Sequence, residues 1–249
     1  MSQLFRALLF LVLTIVPCVM FAAGEAVGAA AGAPRRVLRH VVLLKFKDSV
    51  PPDKVKQLED GFRALPGKID AVVDFEWGKD VSVEGLAQGF THCFRVTFRD
   101  AQGRAAYLPH AAHKEFVTAI KPNLEKVLVV DYETELTDKA AKQHRDPRRV
   151  LRHVVLFKYD EMSDARAVAG IKTAFQSLPD QVDAIYDFEC GDEVSVEGLA
   201  EGFQHCFCVT FEDDKARRAY LPHPKHKEFG SVLKPHLDKV LVIDYWAAK

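Results

Sequence analysis

The chain repeats itself without a gap. Pro34-Arg-Arg-Val-Leu-Arg-His-Val-Val-Leu43 returns letter for letter at Pro147–Leu156. Val81-Ser-Val-Glu-Gly-Leu-Ala87 returns at Val194–Ala200, and Tyr107-Leu-Pro-His-Ala-Ala-His-Lys-Glu-Phe116 as Tyr220-Leu-Pro-His-Pro-Lys-His-Lys-Glu-Phe229. The offset is constant, 220 − 107 = 113. Two copies are too few for a solenoid, in which each repeat buries its face on its neighbours. They suit a chain that carries its own dimer partner. The domains then run over 34–133 and 147–249, with the polar stretch 134–146 as linker.

Within a copy the order of elements is readable. Val37 to Phe46 is rich in β-branched residues and predicts a strand. Prolines 51 and 52 suit the first turn of a helix, and Val55, Leu58, Phe62 and Leu65 keep helical spacing. Ala71–Trp77 and Thr91–Phe98 predict two further strands. A second helical stretch starts near Arg104, breaks at Pro109 and resumes to about Leu124. Val127–Tyr132 predicts the last strand. The pattern is βαββαβ, the ferredoxin-like order. The fold class expected is α+β, two fused ferredoxin-like domains forming an intramolecular dimeric α/β barrel.

The first strand carries the pairing argument. Leu38, His40, Val42, Leu44 and Phe46 point one way; Val37, Val41 and Leu43 point the other, interrupted by Arg39 and Lys45. A sheet with one wet face alternates apolar and polar residues, and this strand does so poorly. Both faces are therefore expected to be covered, one by the copy's own helices and one by the other copy's sheet. Each aliphatic side chain so removed from water contributes about 1.5–3 kcal/mol.

Residues 1–33 stand apart. Arg6 precedes an apolar run, Ala7–Ala23, and a small-residue stretch follows, which is the layout of a secretory signal peptide. The expectation is export to a periplasmic or extracellular space, without stable membrane insertion once the leader is removed. An uncleaved membrane anchor is the alternative. The 249 residues carry a net charge of −1, which lacks the basic surplus of a nucleic-acid partner. Cys93, Cys190, Cys206 and Cys208 form no Cys-x-x-Cys motif, and the strand cysteines read as small apolar side chains.

Eight of the ten histidines fall at duplicated positions: His40, His92, His110 and His113, with His153, His205, His223 and His226. On the third strand His92 and Phe94 share a face. His40 and His92 are expected to line the space beneath Tyr107 and His113. A histidine in an apolar layer is held neutral by desolvation and can act as a base, and a neighbouring phenol can donate to a developing oxyanion. The pairs Tyr107/His113 and Tyr220/His226 are the candidate catalytic residues. His40, His92, Phe94 and His110, with His153, His205, Phe207 and His223, are the candidate ligand-binding set. The bland readings stay open beside these: a strand histidine also serves as a hydrogen-bonded structural residue, and a tyrosine as the rim of a core. His110-x-x-His113 leaves a zinc site short of ligands, so no metal and no cofactor are expected. Asp80, Lys79 and Asp131 read as turn and edge charges.

Arg39-His-Val-Val-Leu-Leu-Lys-Phe-Lys47, Trp77-Gly-Lys-Asp80, Gly89-Phe-Thr-His-Cys-Phe-Arg-Val-Thr-Phe98, Tyr107–His113 and Val127–Tyr132 together resemble the stress-responsive A/B barrel (Dabb) family of the dimeric α/β-barrel superfamily. The resemblance covers most of both copies. It implies a small-ligand-binding protein, which the signal-like leader would export. For the family's polyketide-cyclase branch it implies, alternatively, cofactor-free aldol closure or proton abstraction on a small carbonyl substrate. In that branch Tyr107 and His113, and Tyr220 and His226, match the catalytic tyrosine and histidine, while His40, His92, His153 and His205 match further pocket histidines. Glu59 departs from the apolar character that the resemblance implies on the first helix. Phe94 and Phe207 replace smaller aliphatics, which implies a narrower cavity. Domain 1 is expected to pair with domain 2, and the pair can oligomerise further.

Overall fold

The computed structural model describes residues 36–137 and 149–247. The expected leader, residues 1–33, lies outside them, as does most of the expected linker. In the first copy, β1 (Arg36–Phe46) is followed by α1 (Pro52–Arg63), β2 (Val72–Lys79), β3 (His92–Phe98), α2 (Ala101–Tyr107), α3 (Ala111–Ile120) and β4 (Leu124–Glu135). The second copy repeats this as β5 (Leu151–Tyr159), α4 (Ala165–Gln176), β6 (Asp187–Asp192), β7 (His205–Phe211), α5 (Asp214–Tyr220), α6 (Pro224–Leu233) and β8 (Leu237–Trp246). Each copy forms a four-stranded antiparallel sheet, in the orders β2-β3-β1-β4 and β6-β7-β5-β8. This is the expected ferredoxin-like arrangement.

One boundary moves. The stretch 134–146 was expected to be linker, yet β4 runs on to Glu135, because Thr134 pairs with Val37 and Glu135 with Arg36. Just past the strand's end, Leu136 packs on Val37.

Both faces of β1 are buried, as its composition demands. On one face Leu38, Val42, Leu44 and Phe46 pack with Leu58 and Phe62 of α1, under the helices. On the other, Val41 and Leu43 join Leu128 and Val130 of β4 in a core shared with Val154, Leu156, Leu241 and Ile243 of the second copy. The two sheets therefore seal each other. Arg39 is not a wet interruption of this face. It is 3% exposed and places its guanidinium on Glu189 of the other sheet, at 2.5 and 2.9 Å. Arg152 mirrors it on Glu76, and Arg95 reaches both carboxylates, at 2.9 and 3.1 Å. A layer of three guanidiniums and two carboxylates thus lies within the apolar seam.

The copies also interlock at their edges. After β2 the loop from Val81 to Gln88 runs along β8 of the opposite sheet, with Val81 N–H donating to the Asp244 carbonyl (2.8 Å) and Val242 N–H to that of Leu86 (3.1 Å). The loop from Val194 does the same to β4, through Val194 N–H to Asp131 (2.8 Å) and Val129 N–H to Leu199 (3.2 Å). Each loop satisfies backbone groups that an edge strand would leave open. The crossing is tight: a Cβ on Gly78 would sit 2.8 Å from the Trp246 carbonyl oxygen, and one on Gly191 2.6 Å from that of Glu133.

Candidate functional site

Each copy holds a cavity between its sheet and its helices. In the first, β1 supplies His40, Val42 and Leu44 from alternate positions, α2 supplies Tyr107, and α3 supplies His113. The break at Pro109 creates the arrangement, since proline cannot continue the ladder of α2. The chain turns and restarts on His110, whose Nδ1 caps α3 by accepting from Ala112 N–H at 3.2 Å. The interruption leaves the Leu108 carbonyl available, and His113 Nδ1 lies 2.9 Å from it. A carbonyl only accepts, so Nδ1 carries the hydrogen and Nε2 keeps its lone pair. The Tyr107 ring stacks obliquely on His113 at 4.3 Å between centroids and meets His40 edge-on at 5.9 Å.

His40 is fixed from behind. Its Nδ1 lies 2.7 Å from Asp131 Oδ1, and Arg104 donates to Asp131 Oδ2 at 2.6 Å. Arg104 also donates to the Val194 carbonyl of the second copy, at 2.7 Å. The chain Arg104–Asp131–His40 therefore ties the cavity to the seam between the copies. The second copy reproduces it through His153, Asp244 and Arg217, with Tyr220 at 4.3 Å from His226.

Burial sets the charge states. It pushes the Tyr107 and Tyr220 hydroxyls far above the ordinary phenol range, so both stay protonated. Neither hydroxyl has a hydrogen-bond partner among the described residues. The same burial lowers His113 and His226 below the ordinary imidazole value, outweighing their backbone hydrogen bonds. Each cavity thus pairs an unspent O–H donor with a neutral imidazole. At His153 burial acts the same way, but Asp244 outweighs it and raises that imidazole.

The structure brings together His40, Tyr107 and His113, and likewise His153, Tyr220 and His226. It does not bring the rest of the expected set to the cavities. His92 was expected beneath Tyr107. It instead lies 2.9 Å from Glu59 of α1, whose carboxylate also holds Lys79, and stacks on Phe94. His205 finds Asp192 at 2.8 Å. The helix acid of one copy is the strand acid of the other, for Glu59 and Lys79 correspond to Lys172 and Asp192. Phe94 and Phe207 do not narrow the cavities either. They stack behind the wall, on Phe62 at 4.3 Å and on Phe175 at 4.5 Å. His110 and His223 are spent on helix caps. Asp131 is no edge charge but fully buried. Residue-by-residue reading missed Glu197 and Leu199, which the second copy's loop inserts into the first cavity, and Glu84 and Leu86, which do the reverse. The exact recurrence of Val-Ser-Val-Glu-Gly-Leu-Ala was their signal. Among the described residues no cluster of three or more potential metal ligands occurs.

Two ferredoxin-like units sealed sheet to sheet, each with a histidine–tyrosine cavity closed by a loop of the other, define a dimeric α/β barrel folded from one chain. The chain belongs to the stress responsive A/B barrel domain family, whose profile matches twice, over residues 38–134 and 151–247. It is 46% identical over 95 residues to the stress-response A/B barrel domain-containing protein HS1 of Arabidopsis thaliana, covering 38% of this chain and 87% of that protein. It is 33% identical over 95 residues to olivetolic acid cyclase of Cannabis sativa, covering 38% of this chain and 94% of that enzyme. The solved structure of an anthrone oxidase-like protein superposes on 86% of this chain and 92% of its own, with a TM-score of 0.59 at 10% identity, and shares the fold alone.

Proposed function

We propose that the first cavity binds a small, largely apolar carbonyl compound and abstracts the proton beside its carbonyl, leading to intramolecular aldol closure. The observation that carries this reading is the buried Tyr107 hydroxyl, a donor without a partner among the described residues, set against a neutral His113 in a mostly aliphatic and aromatic wall that His40, Lys121 and Glu197 interrupt. The relative named a cyclase supports it.

In this reading the substrate carbonyl oxygen accepts from Tyr107 O–H. His113 Nε2 takes the α-proton, and the C–H electron pair moves into the carbonyl to give an enolate whose oxyanion the phenol stabilises. The enolate carbon then bonds to a second carbonyl carbon of the same molecule, and the imidazolium returns its proton to the resulting alkoxide. No cofactor enters these steps. Export through residues 1–33 belongs to the same proposal on the sequence pattern alone; N-terminal sequencing of the protein recovered from its native host tests it.

Incubation with a linear tetraketide thioester of N-acetylcysteamine tests the chemistry, with aromatic products followed by absorbance and mass. Wild type is expected to form a cyclic product. Tyr107→Phe is expected to lose about 10²–10³-fold, as when one oxyanion donor is removed, and His113→Ala about 10²–10⁴-fold. Turnover that survives Tyr107→Phe, His113→Ala, Tyr220→Phe and His226→Ala combined would defeat the proposal. Binding without turnover in wild type would leave the protein a ligand carrier.

A further inference from the structure

The two cavities share a polar end and differ at the other. Side chains two apart on a strand face the same way, so β1 lays His40, Val42 and Leu44 along the first cavity from its polar end to its apolar end. Val127 lies beside Leu44 as its cross-strand partner, and Phe62 and Leu124 also line the cavity. In the second copy β5 places His153, Val155 and Phe157 at the same three positions. The phenyl ring of Phe157 is 1% exposed and braced by Phe207 at 5.1 Å and Phe175 at 5.9 Å. The first cavity measures about 230 Å³ and the second about 170 Å³. A second substitution works in the opposite direction, because Gly230 stands on α6 where Val117 stands on α3, removing bulk from the wall. The volume falls nonetheless, and Phe157 is the one cavity-lining residue of β5 that is bulkier than its counterpart on β1.

We infer that the duplicated sites have diverged. The first cavity accepts a ligand with an aliphatic tail behind its carbonyl head, while Phe157 closes the second to all but short ligands. Leu44 and Phe157 are the specificity-determining pair. The assignment of a carbonyl to the head rests on the function proposed above; the inequality of the tail ends rests on packing alone. One or a few methylenes in an apolar slot discriminate by about 10–200-fold, and that is the preference expected for the first site over the second toward a tailed ligand.

Two probes separate these claims. Apolar cavities of this size take up xenon whatever the protein's activity. Under xenon pressure the methyl resonances of both cavities are expected to shift saturably, those of Val42 and Val129 more strongly than those of Val155 and Val242, because the first cavity is the roomier. Phe157→Leu should raise the second response to the level of the first, and Leu44→Phe should lower the first to the level of the second. Each variant installs the residue that the sibling copy already tolerates. Calorimetry then reads the ligand: β-ketooctanoyl-N-acetylcysteamine is expected to bind once per chain in wild type and twice in Phe157→Leu, whereas the acetoacetyl thioester binds twice in both. Equal xenon responses in the two cavities, or no gain in Phe157→Leu, overturn the inference. Xenon following the expected pattern while neither thioester binds overturns the carbonyl reading and sustains the divergence.

Discussion

Tyr107 and His113 show one physical cause acting on two chemistries. Removal from water disfavours whichever form is charged, so it holds the phenol protonated and the imidazole neutral. The acid and base functions are thereby present together at neutral pH. Because burial lowers His113, the base persists below the ordinary imidazole value of about 6.5. The proposed activity is expected to stay level as pH falls through that value, and to drop only where His113 itself takes a proton. A rate–pH profile checks this, and an acid limb centred above 6.5 would assign the base elsewhere. Glu197 belongs to this scale as well. Burial raises its carboxyl, its Oε2 lacks a hydrogen-bond partner, and it lies 3.8 Å from His40 Nδ1. Glu197→Ala is expected to raise KM at the first site and leave the second unchanged, since Glu84 serves there; site-specific binding titrations read the difference.

The elements matter through where they stop. Had α2 run on past Tyr107, the Leu108 carbonyl would be spent within the helix, and His113 would lose the contact that fixes its tautomer. The break needs only Pro109 and Pro222, and both are plain in the sequence. What β2 does is less visible. Gly78 and Gly191 sit where the strand crosses the opposite sheet so closely that a methyl group meets backbone. Gly78→Ala is therefore expected to destabilise the fold by about 1–3 kcal/mol, the range for forced overpacking. Urea denaturation measures it, and a neutral result would mean that the seam yields. Nothing in β2 read alone announces this, because a glycine at the end of a strand looks like an ordinary terminator.

For the molecule as a whole the seam is the deciding structure, and its charges are its least expected part. Glu189 is fully buried; burial opposes its ionisation, but Arg39 and Arg95 outweigh that and hold it at about 2. Glu76 is held low by Arg152 and Arg95 in the same way. Carboxylates depressed in the folded state contribute stability that is complete above their unfolded value of about 4.3. That stability fades as pH falls toward the folded values. Acid unfolding is thus expected to begin below about pH 4.3, and Glu189→Gln should remove the share due to Glu189 while that of Glu76 remains. Glu189→Ala is expected to lose about 3–5 kcal/mol, since it leaves the buried Arg39 without a carboxylate and Arg95 with that of Glu76 alone. The copies have diverged here too: Arg95 of the first faces Cys208 of the second, its guanidinium 3.6 Å from the thiol. Cys208→Arg would set four guanidiniums against two carboxylates, and is expected to be more damaging than Arg95→Cys in the same denaturation assay.

The amino-acid order alone determined the duplication, the βαββαβ course of each half, and the fact that β1 has no face fit for water. Periodicity is local, and it survives being read one segment at a time. It also nominated Tyr107 and His113, because a proline-broken helix with a phenol and an imidazole at fixed spacing is a local pattern. Only the tertiary structure decided that Arg39 pairs with Glu189, that His92 turns to Glu59 rather than to Tyr107, that Phe94 supports the wall instead of forming it, and that Glu197 completes a cavity built by the other half. Those partners lie far apart along the chain. Their contacts follow from how two twisted sheets meet, and the spacing of residues in one strand carries no record of that meeting.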